Sequence, residues 1–446
     1  MFKRPDNWDE LNAEERRALR FDSWTSTEEI EFVSDEAKEK YERRIGLFRD
    51  AVKMREPARV PISLGAGNFA LTRAGLGGKE LHYEPEKIRD ALLDYHETFD
   101  PDTATMAFPT SGEGLETIGF ELYRWGGHQL PDDDFIQMVE GEYLKADEYP
   151  EYLLDPTSWY LHKYFPRIAT ELEPLKKLGA ISTATEINQF QSLLIPFALP
   201  DVQEALKALM EAGEKTMAYY GKIGAIGSQL KAMGYPGMMG SYTKVPFDAL
   251  GDTLRGTRGI MTDMYRNKDE VKAACKQLVP LMIHAGVSGC DRSGGAFAMM
   301  PLHKGADSFM SEEQYAEFYW PTFKEVMLGM IEEGIVPFLF AEGSYDQRLD
   351  FISELPKGAT VWYFDQTDMA RAKKVLGDKC CIQGNLPVSL LATGTPERVE
   401  EACKELIDAC APGGGYILAN GCGLDHGKDE NVKAMLDFTR EYGVYK

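Results

Sequence analysis

Short apolar runs rich in β-branched and aromatic residues alternate with helical patterns along most of this 446-residue chain. The runs lack strict apolar–polar alternation, as expected when both faces of a sheet are covered. Alternating strands and helices indicate a parallel sheet, and the count of eight runs predicts a (β/α)8 TIM barrel, an α/β fold, with loop insertions. The predicted strands are 60–64, 103–108, 180–186, 296–302, 336–341, 360–364, 380–384 and 415–419.

Three segments lie outside this repeating pattern. Residues 1–57 are dense in charge and predict two exposed helices, a helical N-terminal extension before a barrel of residues 58–446. The segments 109–170 and 234–262 are predicted insertions, the second rich in glycine and methionine. The extension could cover the face of a homodimer or contact another protein, and the sequence leaves both alternatives open.

Charge and composition exclude several classes of function. Asp and Glu number 72 against 49 Lys and Arg, a net charge of −23 that repels nucleic-acid phosphates and anionic lipids. No apolar run reaches the roughly 18 residues of a membrane span, and the first residues lack the apolar core of a signal peptide. The seven cysteines form no Cys-x-x-Cys pair. We therefore expect a cytoplasmic protein that binds neither nucleic acid nor membranes.

Polar side chains follow the predicted strands at the end where barrel enzymes place their active sites. In chain order they are Glu186, Asn188, His303, Glu342, Asp346, Asp365, Asn385, Cys422 and Asp425. Carboxylates there can position or protonate a leaving group, which makes Glu186, Asp346 and Asp365 the predicted catalytic residues. We expect Asn188, Asn385 and Asp425 to bind substrate. The alternative is that these loops are polar only because loops in general are.

Three of these residues offer different metal-binding atoms. His303 supplies nitrogen, Glu342 oxygen and Cys422 sulfur. Three protein ligands with an open fourth position are typical of catalytic zinc. The sequence therefore predicts a zinc site, with a loop-capping role as the alternative for His303.

Several longer motifs occur between residue 307 and the C-terminus. They include Phe309-Met-Ser-Glu-Glu-Gln-Tyr-Ala-Glu-Phe-Tyr-Trp-Pro, Cys381-Ile-Gln-Gly-Asn-Leu-Pro and Gly415-Tyr-Ile-Leu-Ala-Asn-Gly-Cys-Gly. With these motifs the chain resembles the uroporphyrinogen decarboxylase superfamily, and residues 57–67 look like its opening segment.

Two branches of that superfamily differ at positions that can be compared here. The decarboxylases carry an arginine-rich segment that binds substrate carboxylates, where this chain has Leu64-Gly-Ala-Gly-Asn-Phe-Ala-Leu-Thr-Arg. The zinc methyltransferases carry a His-x-Cys and a later Gly-Cys. Gly421-Cys422 matches the second motif, whereas Phe340-Ala-Glu342 stands in place of the first.

The resemblance implies a methyltransferase that moves a methyl group between a small substrate and a corrinoid-binding partner protein, assisted by zinc. The expected donor is a methyl ether, as in an O-demethylase component. Two alternatives stay open: a metal-free decarboxylase, and a non-catalytic barrel that only binds a ligand.

Overall fold

The computed structural model describes residues 1–64, 67–106 and 108–446. The strands are β1 (Ile62–Ser63), β2 (Tyr123–Trp125), β3 (Ile136–Met138), β4 (Ser241–Tyr242), β5 (Phe297–Leu302), β6 (Val336–Ala341), β7 (Val361–Phe364), β8 (Cys381–Gln383) and β9 (Tyr416–Ala419). Within these ranges, seven strands form one parallel sheet in the order β1-β9-β8-β7-β6-β5-β4, and β2 pairs antiparallel with β3. The predicted TIM-barrel-like fold is confirmed.

The helices of the described residues surround this sheet and build the insertions. They are α1 (Ala13–Thr25), α2 (Asp35–Val52), α3 (Phe69–Arg73), α4 (Gly78–Tyr83), α5 (Pro85–Phe99), α6 (Gly112–Thr117), α7 (Tyr149–Leu154), α8 (Pro156–Trp159), α9 (Phe165–Ile168), α10 (Ile187–Leu194), α11 (Pro200–Ala232), α12 (Pro246–Thr253), α13 (Gly256–Arg266), α14 (Lys268–Ser293), α15 (Glu312–Gln314), α16 (Trp320–Glu332), α17 (Leu349–Ile352), α18 (Met369–Leu376), α19 (Val388–Thr393), α20 (Pro396–Cys410) and α21 (Asp429–Tyr442). Within the described ranges, no helix has both the length and the apolar character needed to cross a membrane.

Six of the predicted strands coincide with β1 and β5–β9, whereas two predictions fail. Residues 180–186 form no strand: a 3-10 turn occupies Ile181–Thr183, and α10 follows it. This run has β-forming residues, but it lies exposed, so no sheet face buries them. The sequence also missed β4, because a two-residue strand inside the predicted insertion 234–262 is too short to give a pattern.

The predicted strand 103–108 includes residue 107, which lies outside the described residues, and the part that is described forms no strand. This segment still bridges the gap between the two ends of the sheet. The carboxylate of Asp102 accepts a hydrogen bond from the N–H of Ile62 in β1, at 3.0 Å. The N–H of Ala104 donates to the carbonyl of Pro236, ahead of β4, at 2.9 Å. Residues 102–104 therefore connect β1 with the chain ahead of β4.

The N-terminal helices are part of the barrel core rather than an exposed layer. Phe21 and Trp24 of α1 pack against Phe297, the first residue of β5, with ring centroids 5.8 and 4.9 Å away. Phe48 of α2 is fully buried in the same cluster, together with Val361 at the start of β7. The charged residues of this segment face solvent, while its apolar stripe closes the N-terminal end of the barrel.

Candidate active site

One helix of the site was not predicted from the sequence to carry functional residues. Helix α12 starts at Pro246, whose fixed φ suits a first helical position, and it follows β4 directly. It carries Asp248 and Asp252, whose i,i+4 spacing puts both carboxylates on one face. Both are buried. An acidic pair at i,i+4 spacing after a strand could have identified them from the sequence. The prediction missed this pair because β4 has only two residues and was not recognised as a strand.

Asp248 fixes the loop that follows β5. Its carboxylate accepts hydrogen bonds from the N–H groups of His303 and Lys304, at 3.0 and 2.9 Å, and from the hydroxyl of Tyr319, at 2.7 Å. Complete burial, together with the charge of Asp252, raises the pKa of Asp248. Asp248 therefore fixes the backbone of His303, in addition to any contact that the His303 side chain makes.

The carboxylate of Asp252 contacts three basic side chains. Its Oδ2 lies 2.6 Å from Nδ1 of His303 and 2.5 Å from Nζ of Lys244, and its Oδ1 lies 2.7 Å from Nζ of Lys304. Burial alone would raise the pKa of Asp252, but the hydrogen bond from His303 and the charges of the two lysines hold it well below its usual range. Asp252 is therefore ionised at neutral pH.

This carboxylate favours the charged form of His303. Burial lowers the pKa of His303, but the hydrogen bond to Asp252 and the charges of Asp252, Asp248 and Glu342 outweigh burial, so the pKa is raised. Because Nδ1 is taken by Asp252, Nε2 is the ring nitrogen left for the barrel mouth. An imidazolium in this position can donate a proton to a bound molecule.

Glu342 faces the other side of this imidazole. Its Oε1 lies 3.8 Å from Nε2 of His303, and the side chains are 44% and 34% exposed, respectively. Burial, with the charges of Asp248 and Asp365, raises the pKa of Glu342 in spite of His303. The mouth thus holds an imidazole whose protonated form is favoured and a carboxyl group whose pKa is raised.

Asp365 and Cys422 complete this edge of the mouth. Oδ2 of Asp365 accepts a hydrogen bond from the N–H of Gly343 at 3.0 Å, and burial raises the pKa of Asp365. A side chain at Gly421 would begin 2.9 Å from the carbonyl oxygen of Asp365, so this position requires glycine. Burial and the charges of Asp365 and Glu342 raise the pKa of Cys422, which favours the thiol over the thiolate.

Tyrosines from two insertions stand beside these groups. Tyr242 in β4 is 53% exposed, and Tyr123 comes from the β2–β3 hairpin. Burial raises the pKa of Tyr242, and the charges of Tyr123, Asp252, Asp248 and Glu342 add to the effect. Both phenols are therefore neutral hydrogen-bonding groups at physiological pH.

The remaining predicted residues have structural partners at or near the mouth. The amide of Asn385 donates to the carbonyl of Thr367 at 2.7 Å. Asp346 accepts a hydrogen bond from the Ser344 hydroxyl at 2.8 Å. Asp425 accepts two hydrogen bonds from Asn68, each at 3.0 Å. These contacts position loops. Substrate binding by Asn385 and Asp425, and a catalytic role for Asp346, stay predictions.

Glu186 and Asn188 do not follow a strand, so the predicted location of both residues is wrong. Glu186 is the residue before α10 and Asn188 lies in its first turn, and both are exposed. The structure therefore brings His303, Glu342, Asp365 and Cys422 to one mouth, adds Asp248 and Asp252, and leaves Glu186 and Asn188 outside the ring of strands.

The predicted zinc ligands do not assemble into a ready site. Across the described ranges, no group of three His, Cys, Asp or Glu side chains is arranged to hold a metal ion. Of the predicted set, Nε2 of His303 and Oε1 of Glu342 lie 3.8 Å apart. The donor set of the described residues thus does not fit a preformed three-ligand centre, and the zinc binding predicted from the sequence is left to metal analysis.

Comparisons with known proteins give a consistent picture. The model of the uroporphyrinogen decarboxylase (URO-D) family matches residues 186–442. The uroporphyrinogen decarboxylase of Coxiella burnetii is 21% identical over 269 residues, which cover 59% of this chain and 69% of that protein. The Aromatoleum aromaticum enzyme of the same name is 30% identical over 139 residues, covering 30% of this chain and 38% of that protein. A methyltransferase from Methanosarcina mazei superposes with a TM-score of 0.56 at 16% identity, covering 90% of this chain and 98% of that chain, which shows a common fold.

Proposed function

Since this chain belongs to the uroporphyrinogen decarboxylase family, whose fold it shares with a methyltransferase, we propose that it transfers a methyl group between a small substrate and a corrinoid held by a partner protein. The observation that carries the proposal is the contact of His303 with Asp252, which raises the pKa of the ring and leaves Nε2 turned to the barrel mouth. Breaking a carbon–oxygen bond of a methyl ether, the predicted donor, leaves an oxygen anion that needs a proton. His303 is placed to supply it.

Three residues of this chain have separate roles in the proposed reaction. A reduced corrinoid on the partner would supply the electron pair for the new bond to the methyl carbon. The electrons of the broken carbon–oxygen bond would stay on the ether oxygen, and Nε2 of His303 would give that oxygen its proton. Asp252 keeps the ring orientation and stabilises its charge beforehand. Glu342, with a raised pKa and its Oε1 3.8 Å from Nε2, can return a proton from solvent to the imidazole. No step is assigned to zinc.

Decarboxylation is the second candidate, because the family and its relatives carry that name and His303 could equally protonate a carbanion after loss of CO2. The mouth argues against a polycarboxylate substrate. Lys244 and Lys304 are both engaged by Asp252. Arg73, the arginine of the segment after β1, pairs with Asp94 and Asp429. Arg73 is therefore committed to two carboxylates and both lysines to Asp252, so each of these three cations already has an ion-pair partner before a substrate carboxylate arrives.

A single pair of assays separates the two candidates. The purified chain is incubated with reduced corrinoid and a panel of methyl ethers, and methylation of the corrinoid is followed by its absorbance; in parallel, uroporphyrinogen is supplied and CO2 release is measured. We expect methylation, a loss of about 10²–10⁴-fold in His303→Gln, and no change in His284→Gln, an exposed histidine of α14. Release of CO2 without methyl transfer would favour decarboxylation.

A further inference from the structure

Residues 181–199 form an exposed apolar surface, which we call the α10 surface. They comprise a 3-10 turn at Ile181–Thr183, helix α10 and a second 3-10 turn at Ile195–Ala198. In the described chain, none of these three elements has a buried residue. Seven of the 22 large apolar side chains that the described residues expose lie in this short segment. The most exposed of the seven are Ile181, Ile187, Phe190, Leu194 and Ile195.

Helix α10 presents an apolar stripe to solvent. Ile187, Phe190 and Leu194 follow one another at i, i+3 and i+7, which puts them on one face of the helix. They are 72%, 54% and 51% exposed. A helix of only eight residues is marginal in water, and helices in proteins are stabilised mainly by packing an apolar face. A molecule that covers this stripe would therefore supply the packing that α10 lacks in the single chain.

The exposed area of this surface corresponds to one side of a protein–protein interface. With about 200 Å² for a large apolar residue, the seven side chains expose on the order of 700 Å². The largest apolar patch of a typical monomer covers about 300–600 Å². A stable complex buries about 800 Å² on each partner. The α10 surface alone thus comes close to the area that a stable dimer needs from each copy.

The charge of this surface indicates what can cover it. Glu186 is the only charged residue among residues 180–199, although 27% of the chain is charged. Because the net charge is −23, two copies repel each other over most of their surface, and they can approach most closely where charge is sparse. The segment has no Lys or Arg to attract an anionic membrane. The charge pattern therefore favours a second copy of this chain over a lipid surface.

We infer that the α10 surface binds the same surface of a second copy, related by a two-fold axis. Such an interface brings one patch against its own copy, so the patch must be self-complementary. An apolar stripe with almost no charge meets that requirement, because apolar side chains pack against each other without specific partners. The inference does not depend on methyl transfer, since the α10 surface and the catalytic groups proposed above share no residue.

Sedimentation of the full chain over a wide concentration range tests the inference. We expect a species of twice the 50.0 kDa chain mass. Leu194→Glu should raise the dissociation constant by at least about 100-fold, because it puts two unpaired like charges into an apolar contact. Leu281→Glu is the matched control, since Leu281 of α14 is 52% exposed and Leu194 is 51% exposed. The control should dimerise like the wild type.

Hydrogen exchange locates the contact. The backbone amides of α10 should gain protection as the concentration rises in the wild type, and this gain should be absent in Leu194→Glu. Phe190→Ala removes apolar area without adding charge, and it covers the case in which Leu194→Glu melts α10. It should weaken the dimer about tenfold.

Three results would overturn the inference. The first is a chain that stays monomeric at every concentration. The second is a dimer that neither Leu194→Glu nor Phe190→Ala weakens, which would use another face. The third is a monomer that binds neutral phosphatidylcholine vesicles and loses this binding in Leu194→Glu, which would identify lipid as the molecule that covers α10.

Discussion

Nδ1 of His303 lies 2.6 Å from Oδ2 of Asp252, and this contact decides both the charge and the orientation of the imidazole. The carboxylate comes from α12 and the histidine from the loop after β5, so the pair ties two successive barrel units together. Asp252 stays ionised because Lys244 and Lys304 also contact it. The result is a proton donor whose geometry is set before any substrate arrives.

Asp252→Asn should lower the pKa of His303. The raised pKa depends on the hydrogen bond and charge of Asp252, and asparagine keeps the shape without the charge. If the protonated ring is the active form, the rate of methyl transfer falls as pH rises through the His303 pKa, and in Asp252→Asn that fall moves to lower pH. NMR titration of the histidine ring protons checks the shift directly. Asp269→Asn, an exposed aspartate of α14, serves as the control.

The same pKa shift gives a stability prediction with a definite sign. A group whose pKa is raised on folding contributes stability that is complete below its unfolded value, about 6.5, and is lost as pH rises through the folded value. The wild type should therefore exceed Asp252→Asn in free energy of unfolding by more at pH 6 than above the folded pKa of His303. Urea titrations across this window measure the difference. A gap that is constant with pH would mean that His303 is not charged in the folded chain.

Glu342→Gln should lower the pKa of His303 by less than Asp252→Asn does. Glu342 acts across 3.8 Å without a hydrogen bond, and its raised pKa shifts it toward the neutral form. Asp252 acts at 2.6 Å and is fully ionised. The order of the two shifts, read from the same ring-proton titration, is the checkable outcome. An equal or larger shift in Glu342→Gln would show that the imidazole is held mainly from the mouth side.

Metal analysis tests the zinc prediction. The ligand set predicted from the sequence corresponds to about one zinc per chain, lost in Cys422→Ala. In the described residues, His303 and Glu342 of that set lie 3.8 Å apart, and no three His, Cys, Asp or Glu side chains are arranged around a metal position. We therefore expect well under one zinc per chain in protein purified without chelator, and no further drop in Cys422→Ala. A stoichiometric metal that Cys422→Ala removes would restore the three-ligand site.

The residues that follow β5, β6 and β7 could be predicted from the sequence because a general rule for barrels gives their location. Residues that directly follow a long buried strand must lie at the C-terminal mouth of a barrel, and His303, Glu342 and Asp365 do so after β5, β6 and β7. The rule failed for Glu186 because the run before it is β-prone but never buried. It missed Asp248 and Asp252 because β4 has two residues, too few to show a period.

The role of the N-terminal segment was hidden by its composition. Charged residues dominate residues 1–57, so an exposed helical layer was the natural prediction. Composition does not reveal the aromatic side chains on one face of α1 and α2. These side chains pack against the barrel strands, so their role is visible only in the folded barrel. The inward side chains of β5 and β7 at the N-terminal end would otherwise face water.

Phe48→Ala should therefore destabilise the whole barrel, although it lies outside residues 186–442 that match the family. Its side chain has no exposed surface, and removing a buried phenylalanine costs about 3–5 kcal/mol in free energy of unfolding through lost burial and the cavity left behind. Glu39→Ala on the exposed side of the same helix should stay within about 0.5 kcal/mol of wild type. Urea unfolding followed by the signal of Trp362, a buried residue of β7, measures both, and comparison with a Trp362→Phe chain assigns that signal. If Phe48→Ala unfolds only the N-terminal helices and leaves the Trp362 transition in place, the segment is a separate unit rather than the closed end of the barrel.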